Sequence, residues 1–416
     1  MKSNVSTKRM AMSILTICIV IKAAGQFTLS GEIRPRTEMS HGYKALAAKN
    51  QDLSTVTTQR TRLNLLFINN LVKSKLVLQD VRLYGSQRQL VGNEDLATSV
   101  HEAWAEIMFL PSLSLKIGRQ EVVYDDHRIF GSVGWAQQAR SHDMAVFKYE
   151  SALKIHLGLA HHEDGILSSD FYSGPDMYKD LQFLWVNYNT EPFSLSGLLL
   201  NKGNNLYGTD TTGTDETIYT RTAGIRLVYK KDGLTGSLFG YFQKGENLKA
   251  FDFGADASYK VSGNTSLSAG FEILSGNDTT TTDQEAFNPF FGTNHKFNGF
   301  MDYFYVGNHI NTIGLVDLFL KGQYSLGKST LSAHGHYFAG ATDHIAGFDG
   351  KSLGIEIDLV CSYKISEITN ISAGYSQMFG TDNMAVLKGG DKSAMSYWAW
   401  VMITVKPVFF TTKKSD

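Results

Sequence analysis

The stretch KAFDFGADASYK, Lys249 to Lys260, alternates apolar side chains with small or polar ones from Phe251 onward. One set of alternate positions is apolar: Phe251, Phe253, Ala255, Ala257 and Tyr259. The other set is small or polar: Asp252, Gly254, Asp256, Ser258 and Lys260. Because successive side chains of a β-strand point to opposite faces, this period of two predicts a strand with one apolar face. A sandwich buries such a face as readily as a barrel turns it toward lipid, so the stretch alone does not predict the architecture.

The same alternation recurs along the chain in segments of about ten residues. The composition agrees with extended structure, because 39 Gly stand against 6 Pro and no long helical stripe is present. We predict eighteen strands, with approximate spans 27–38, 56–68, 73–86, 99–110, 113–123, 141–150, 153–163, 179–189, 193–203, 217–230, 233–246, 248–261, 265–277, 312–325, 329–341, 351–365, 368–380 and 393–406.

The connections between these strands are alternately short and long. After even-numbered strands the chain turns in two to four residues, and after odd-numbered strands it usually runs for nine to thirty-four, with GEN at 245–247 as the exception. Short periplasmic turns and long outer loops are typical of outer-membrane barrels, in which the sheet closes because lipid offers no partner to a sheet edge. The sequence therefore predicts an all-β fold, a transmembrane antiparallel β-barrel of about 18 strands.

The N-terminus predicts export. Residues 1–25 contain the cations Lys2, Lys8 and Arg9, then an apolar run from Met10 to Ile21, then small residues ending at Gly25. This order is typical of a secretory signal peptide, and about a dozen apolar residues are too few for the roughly 20 that span a bilayer. We expect cleavage near Gly25, a barrel formed by residues 26–416, and placement in the outer membrane of a Gram-negative bacterium.

The net charge and the cysteine content argue against a nucleic-acid-binding protein and against a disulfide-stabilised one. Removal of residues 1–25 leaves 35 basic and 40 acidic residues, a net charge of −5, which gives no indication of nucleic-acid binding. Cys361 is then the single cysteine left, so a disulfide within one chain is not expected.

If the apolar face meets lipid, the other face lines a lumen. Alternation places basic side chains there, at Arg34, Arg36, Arg60, Arg62, Arg82, Lys116, Arg226 and Lys321, interleaved with Glu272, Glu356 and Asp358. These cations have two interpretations. They line the path of an anionic solute, or they brace the barrel by pairing with carboxylates, since a buried charge must be paired.

The run GRQEVVYDDHRIFGSVGWAQQARSHDMAVFKYE, Gly118 to Glu150, resembles the signature of the alginate export family. The matching places are Gly118, Arg119, Gln120, Asp126, Arg128, Trp135, Arg140 and Asp143. The segments GEIRPRTE, QRTRL, FNPFFGTNHKFNGFMDYF and YWAWVMITVKP are also similar to family elements, although Asp125 stands where a Gly is more usual. The resemblance implies an eighteen-stranded outer-membrane barrel that carries an anionic exopolysaccharide.

The cluster YDDHR at 124–128 falls on the third outer loop, between the predicted strands that end near Val123 and start near Ser141. We interpret Arg119, Asp126, Arg128, Arg140 and Asp143 as a salt-bridged constriction of the barrel mouth and not as a catalytic site. No metal site and no cofactor are expected from this spacing. Elsewhere in the chain, the candidate metal ligands are His161, His162 and Glu163, which start the next outer loop.

The main functional hypothesis is a channel for a polar, anionic solute or exopolysaccharide. The alternatives are a general or substrate-specific porin for small solutes and an outer-membrane enzyme. An enzyme is not expected, because no Gly-x-Ser-x-Gly turn occurs and no Ser, His and acid set can be assembled. The expected partners are outer-membrane lipid and lipopolysaccharide, the barrel-assembly machinery, an anionic or polar saccharide and periplasmic export partners, but no nucleic acid.

Overall fold

The computed structural model describes residues 25–89, 98–162, 178–206, 216–278, 280, 282–304, 309, 312–342, 347 and 349–412. The predicted signal peptide at 1–25 lies outside these residues except for Gly25. The strands are β1 Gln26–His41, β2 Ser54–Ile68, β3 Val72–Leu83, β4 Thr98–Leu110, β5 Leu113–Gln120, β6 His142–Glu150, β7 Leu153–His161, β8 Asp180–Thr190, β9 Phe193–Leu206, β10 Glu216–Lys231, β11 Leu234–Lys244, β12 Lys249–Lys260, β13 Thr265–Leu274, β14 Leu315–Leu326, β15 Ser329–Ala339, β16 Ser352–Lys364, β17 Thr369–Gly380, β18 Ser396–Val405 and β19 Val408–Thr411.

The strands form one closed antiparallel barrel in chain order. From β1 to β18, each strand pairs with its neighbours in sequence, and β1 closes the barrel by pairing with β18 and β19. Lys406 and Pro407 separate these last two strands, which continue along the same edge of β1. The barrel therefore has 18 transmembrane strands, as predicted. None of the predicted spans differs by more than three residues at either end, apart from the last strand, which continues to Thr411.

The outer face of the wall is apolar. Large side chains such as Leu63, Ile225 and Leu320 are exposed there, at 38%, 62% and 65% of their surface. Tyrosines lie near the periplasmic ends of even-numbered strands: Tyr149, Tyr188, Tyr259, Tyr324 and Tyr363. An apolar band with aromatic side chains at its edge is the surface that a bilayer and its interface require.

Two outer loops occupy the inside of the barrel. The third loop, residues 121–141, and the seventh loop, residues 275–314, contribute most of their described hydrophobic side chains to two buried clusters against the inner wall. The ninth loop contains a short helix, α1 Asp382–Lys388, and the seventh contains a 3-10 turn at Asn294–Lys296. Among the described residues, no helix is long and apolar enough to cross a membrane.

Candidate functional site

The third loop has an unusual backbone. Asp125, His127, Val133 and Ala139 have positive φ angles of 51°, 74°, 50° and 55°. L-residues rarely adopt this left-handed conformation, and a β-branched residue such as Val133 is strained in it. Such a backbone persists only where the surroundings hold it, so the contacts of this loop with the wall determine its shape.

One end of the loop is fixed to β8, β9 and β10. The Asp125 carboxylate accepts hydrogen bonds from the Ser196 hydroxyl at 2.5 Å and from the Trp185 indole at 3.1 Å. Asp126 lies 3.4 Å from the Arg226 guanidinium on β10. Burial raises the pKa of Asp126, but the charges of Arg128 and Arg226 outweigh this and hold its pKa below the usual value. Asp126 therefore stays ionised and anchors this end of the loop.

Arg128 continues the attachment toward β13. Its guanidinium pairs with Glu272 and lies between the rings of Phe239 and Phe297, 4.0 Å from each ring centroid. Asn298 donates to the other Glu272 oxygen at 2.8 Å. A charge-assisted pair between two rings, away from water, is a strong and directional contact.

The other end of the loop is held by arginines of β1 and β2. Arg34 donates to the carbonyl oxygens of Gly134, Trp135 and Ala136 at 2.7, 3.0 and 3.1 Å. Arg36 donates to the Trp135 carbonyl at 2.8 Å and lies over the indole ring, 4.3 Å from its centroid. The loop is thus attached to walls formed by β1–β2 and by β8–β13.

Arg60 and Arg62 complete this arginine group. Arg60 pairs with Glu32 at 2.5 Å. Arg62 donates to Gln79 at 2.7 Å and lies 3.9 Å from Glu121. The predicted inward placement of all four arginines agrees with the pairing of β1 and β2. Their contacts favour bracing of the loop and wall over a path for an anion.

The seventh loop meets the third loop in the lumen. Phe130 and Phe291 stack at 5.4 Å between ring centroids and join the two loops in an isolated parallel β-bridge. Farther along, the seventh loop contacts the first loop, residues 42–53, because the Tyr303 hydroxyl donates to the Gly42 carbonyl at 2.6 Å. Two loops that cross the lumen and contact each other narrow it.

Three predicted site residues point away from the lumen. Arg82 lies opposite Gln59 and shares its face of the wall with Leu63 and Leu78, because Arg60 and Arg62 occupy the other face. It pairs with Asp80 at 2.6 Å.

Arg119 and Asp143 form a 2.7 Å ion pair between β5 and β6, on the same face as the exposed side chain of Ile117. The expectation that Arg82 lines the lumen and that Arg119 and Asp143 narrow the mouth is therefore wrong. For Arg82 the prediction chose the wrong face of the strand, and a change of one residue in register exchanges the two faces. Arg119 and Asp143 lie within β5 and β6, where strand pairing fixes both on the outward face.

The remaining predicted residues lie inside. Lys116 packs over Trp104, with its ammonium 4.0 Å from the ring centroid, and Lys321 packs over Phe319 at 4.6 Å. Arg140 lies in the third loop and is directed at the Gly292 carbonyl, 3.5 Å away. The structure thus brings Asp126, Arg128 and Arg226 together and places Arg140 in the same loop.

Lys116 belongs to a larger group that we name the lysine face: Lys73, Lys75, Lys116, Lys148 and Lys154. The sequence prediction included Lys116 but not the other four. Strand pairing places these five side chains on the inner surface of β3–β7, in the periplasmic half of the wall. Lys148 lies 3.1 Å from Glu106, and Lys75 pairs with Glu102. The same alternation that predicted the strands could have shown this group.

A cavity of about 990 Å³ opens at the periplasmic ends of β8–β14.

The suggested metal ligands of the fourth outer loop are not brought together in the described residues. His161 pairs with Asp180 at 2.6 Å and His162 stacks on Tyr178, whereas Glu163 lies outside the described residues. The described part of the chain holds one group of three side chains close enough to share an ion: His334, His336 and Asp358. Its signal in the sequence is a His-x-His pair and a Glu-x-Asp pair, each with the two-residue spacing of a strand face.

Comparison with known proteins shows the fold. No known protein family matches the chain, and no curated protein sequence matches it. Three solved Pseudomonas aeruginosa proteins match over 92–93% of this chain and 98–99% of theirs. OccK11 (OpdR) has a TM-score of 0.60 at 11% identity, OpdL 0.63 at 11%, and OpdK, solved with vanillate, 0.60 at 10%.

OpdK is an outer-membrane protein, and the three neighbours share the barrel fold of this chain. Identity this low shows the fold alone. Together with the closed barrel, the shared fold points to the outer membrane of a Gram-negative bacterium. The comparisons do not support alginate export in particular.

Proposed function

We propose that the protein is an outer-membrane channel through which small polar solutes diffuse, with a preference for anions. The observation that carries this proposal is the third loop, which is attached to opposite walls through Arg34 at one end and Asp126 and Arg128 at the other. A polymer needs a continuous wide passage, whereas a fixed constriction suits small solutes.

The lysine face supports the preference for anions. Its five ammonium groups share the inner wall with Glu102, Glu106 and Glu150, so a positive excess remains. Like charge along a narrow aqueous path raises the local concentration of the opposite ion. OpdK was solved with vanillate, a small carboxylate, and we propose that small carboxylates are the first solutes to test here. Lipid and lipopolysaccharide surround the apolar face in this proposal.

The test is ion selectivity in a planar bilayer. Lys116 and Lys154 face the lumen from β5 and β7, and the variant K116E/K154E reverses both charges. We expect the reversal potential in a salt gradient to shift from anion toward cation selectivity. The shift should shrink between roughly 0.1 M and 1 M salt, because the screening length falls from about 10 Å to about 3 Å.

A matched control separates this effect from a change in net charge. The variant K231E/K328E makes the same change at the periplasmic rim, where Lys231 belongs to the outward face of β10 and Lys328 lies in a turn. It should leave the reversal potential nearly unchanged. Equal selectivity in all three proteins would refute the anion preference, and a folded barrel that does not conduct would refute the channel.

A further inference from the structure

Four ionisable side chains come together on the inner surface of β15 and β16. β15 carries His334 and His336, and β16 carries Glu356 and Asp358. The strand register places His334 opposite Asp358 and His336 opposite Glu356, so all four side chains share one face. His336, Glu356 and Asp358 are 2%, 0% and 1% exposed. This group lies on a different part of the wall from the lysine face.

The donor atoms converge. One nitrogen of His334, one nitrogen of His336 and one oxygen of Asp358 lie within 4.8 Å of one another. An ion bound at about 2.1 Å holds tetrahedral ligands about 3.4 Å apart, so small rotations of these side chains would close the site. The distances between these three donor atoms are therefore close to those in a tetrahedral metal site.

The orientation of His336 is already set for metal binding. Its Nδ1 lies 2.9 Å from Asp317 on β14, which directs the other nitrogen, Nε2, away from that carboxylate. Among the described residues, nothing makes a hydrogen bond with this buried Nε2. A carboxylate that holds one histidine nitrogen while the other binds a metal is the usual second layer of a zinc site.

Asp358 and Glu356 contribute two buried carboxyl groups. Within the described part of the chain, neither Asp358 oxygen makes a hydrogen bond of good geometry, although Ser376 of β17 and Glu356 of the same strand lie beside this carboxyl group. Glu356 accepts a 2.8 Å hydrogen bond from the Met301 backbone of the seventh loop through one oxygen, and its second oxygen also lacks a partner there. Buried carboxylate oxygens without a partner are costly, and a cation would stabilise them.

We propose that His334, His336 and Asp358 bind one divalent transition-metal ion of the zinc class, with Glu356 as a fourth ligand. Two imidazoles and a carboxylate suit Zn²⁺ or Co²⁺, whereas Mg²⁺ and Ca²⁺ require sets composed of oxygen ligands. The ion would tie the seventh loop to the wall, because Met301 already holds Glu356. The inference is independent of the proposed channel function.

The test loads the barrel with a defined metal. The protein is refolded in detergent with Zn²⁺ or Co²⁺, because the site is buried beneath the seventh loop, and unbound metal is then removed. We expect one ion per barrel by elemental analysis and, with Co²⁺, the visible absorption of a tetrahedral site. Millimolar Mg²⁺ or Ca²⁺ should not displace it.

Variants test which side chains bind the ion. H336A and D358N should lose it, whereas H161A/H162A, which removes the other histidine pair, should keep it. D317N should keep the ion with about 10-fold to 100-fold weaker affinity, because it removes the group that orients His336. Folding of each variant is checked by its faster migration before boiling.

Three outcomes would overturn the proposal. The first is a folded wild-type barrel that binds no ion. The second is an equal ion content in wild type, H336A and D358N. The third is loss of the ion in H161A/H162A.

Discussion

One guanidinium has five N–H donors, and Arg34 uses them on the backbone of the third loop. It reaches three successive carbonyl oxygens and the side chain of Gln137, whose Oε1 lies 2.9 Å from Nη2. Carbonyl oxygens in a loop lack the partners that a sheet supplies, and side-chain donors such as Arg34 can take their place. Arginine is suited to this task because its donors are fixed in one plane.

Replacement of Arg34 by methionine keeps the apolar stem and removes these donors. The Trp135 carbonyl keeps its hydrogen bond from Arg36, whereas the Gly134 and Ala136 carbonyls lose the short hydrogen bonds from Arg34. Each carbonyl left unsatisfied destabilises the closed loop by about 1–3 kcal/mol. We expect R34M to raise single-channel conductance and antibiotic permeation while the barrel still assembles. R82M is the control, because Arg82 faces outward. Equal conductance of R34M and wild type would show that the loop does not need this contact.

The lowered pKa of Asp126 predicts that acid weakens the attachment of the third loop. The pKa of Asp126 is held below the usual 3.8, so its anchoring of the loop is complete above that pH and is lost as the pH falls through the lowered value. Burial raises the pKa of Asp125, and a raised carboxyl pKa has the opposite sign, because protonation then favours the folded loop.

We therefore expect conductance to rise below about pH 3.8 in wild type and in D125N. D126N should conduct more already at neutral pH and show no further acid step. Bilayer recordings between pH 7 and pH 3 would measure this. An acid step that persists in D126N would assign it to another group.

At the scale of elements, the third loop is separable from the wall. The transmembrane ladder passes from β5 directly to β6, and the loop adds no strand to it. Outer loops contribute little to such a ladder, so the barrel should tolerate their removal.

Deletion of residues 126–137 removes both the Asp126 and Arg128 attachments and the segment held by Arg34. We expect a conductance several-fold above that of wild type, with heat-modifiable migration retained. Failure of the deleted protein to fold would show that the loop braces the wall, and unchanged conductance would show that the seventh loop alone sets the constriction.

At the scale of the whole molecule, closure of β1 on β18 and β19 leaves no free sheet edge in the described strands. A closed barrel resists detergent until it is heated. We expect the mature protein to begin near Gln26, to fractionate with the outer membrane, and to migrate faster on a denaturing gel before boiling. Recovery from the inner membrane or as a soluble protein would contradict the predicted export and placement.

The sequence by itself determined the strands, their number and which face of most strands meets lipid. This information is local, because alternation with a period of two is imposed by the bilayer on one side and water on the other. The LSGEIRPRTE and KAFDFGADASYK segments contain it within ten to twelve residues. The signal peptide and the solute remain predictions.

Only the tertiary structure decided what the inward side chains do. Arg34 holds Gln137, 103 residues away, and no local pattern distinguishes that contact from an arginine exposed to solute. The inward placement of Arg82 also failed, because register near a strand end depends on pairing with the next strand. The prediction that Arg119 and Asp143 narrow the mouth rested on their closeness to the third loop, whereas the pairing of β5 with β6 turns both outward. The proximity of His334 to Asp358 likewise depends on how β15 and β16 align. Closure of the barrel and the folding of two loops into it create these contacts, and neither is encoded in any short segment.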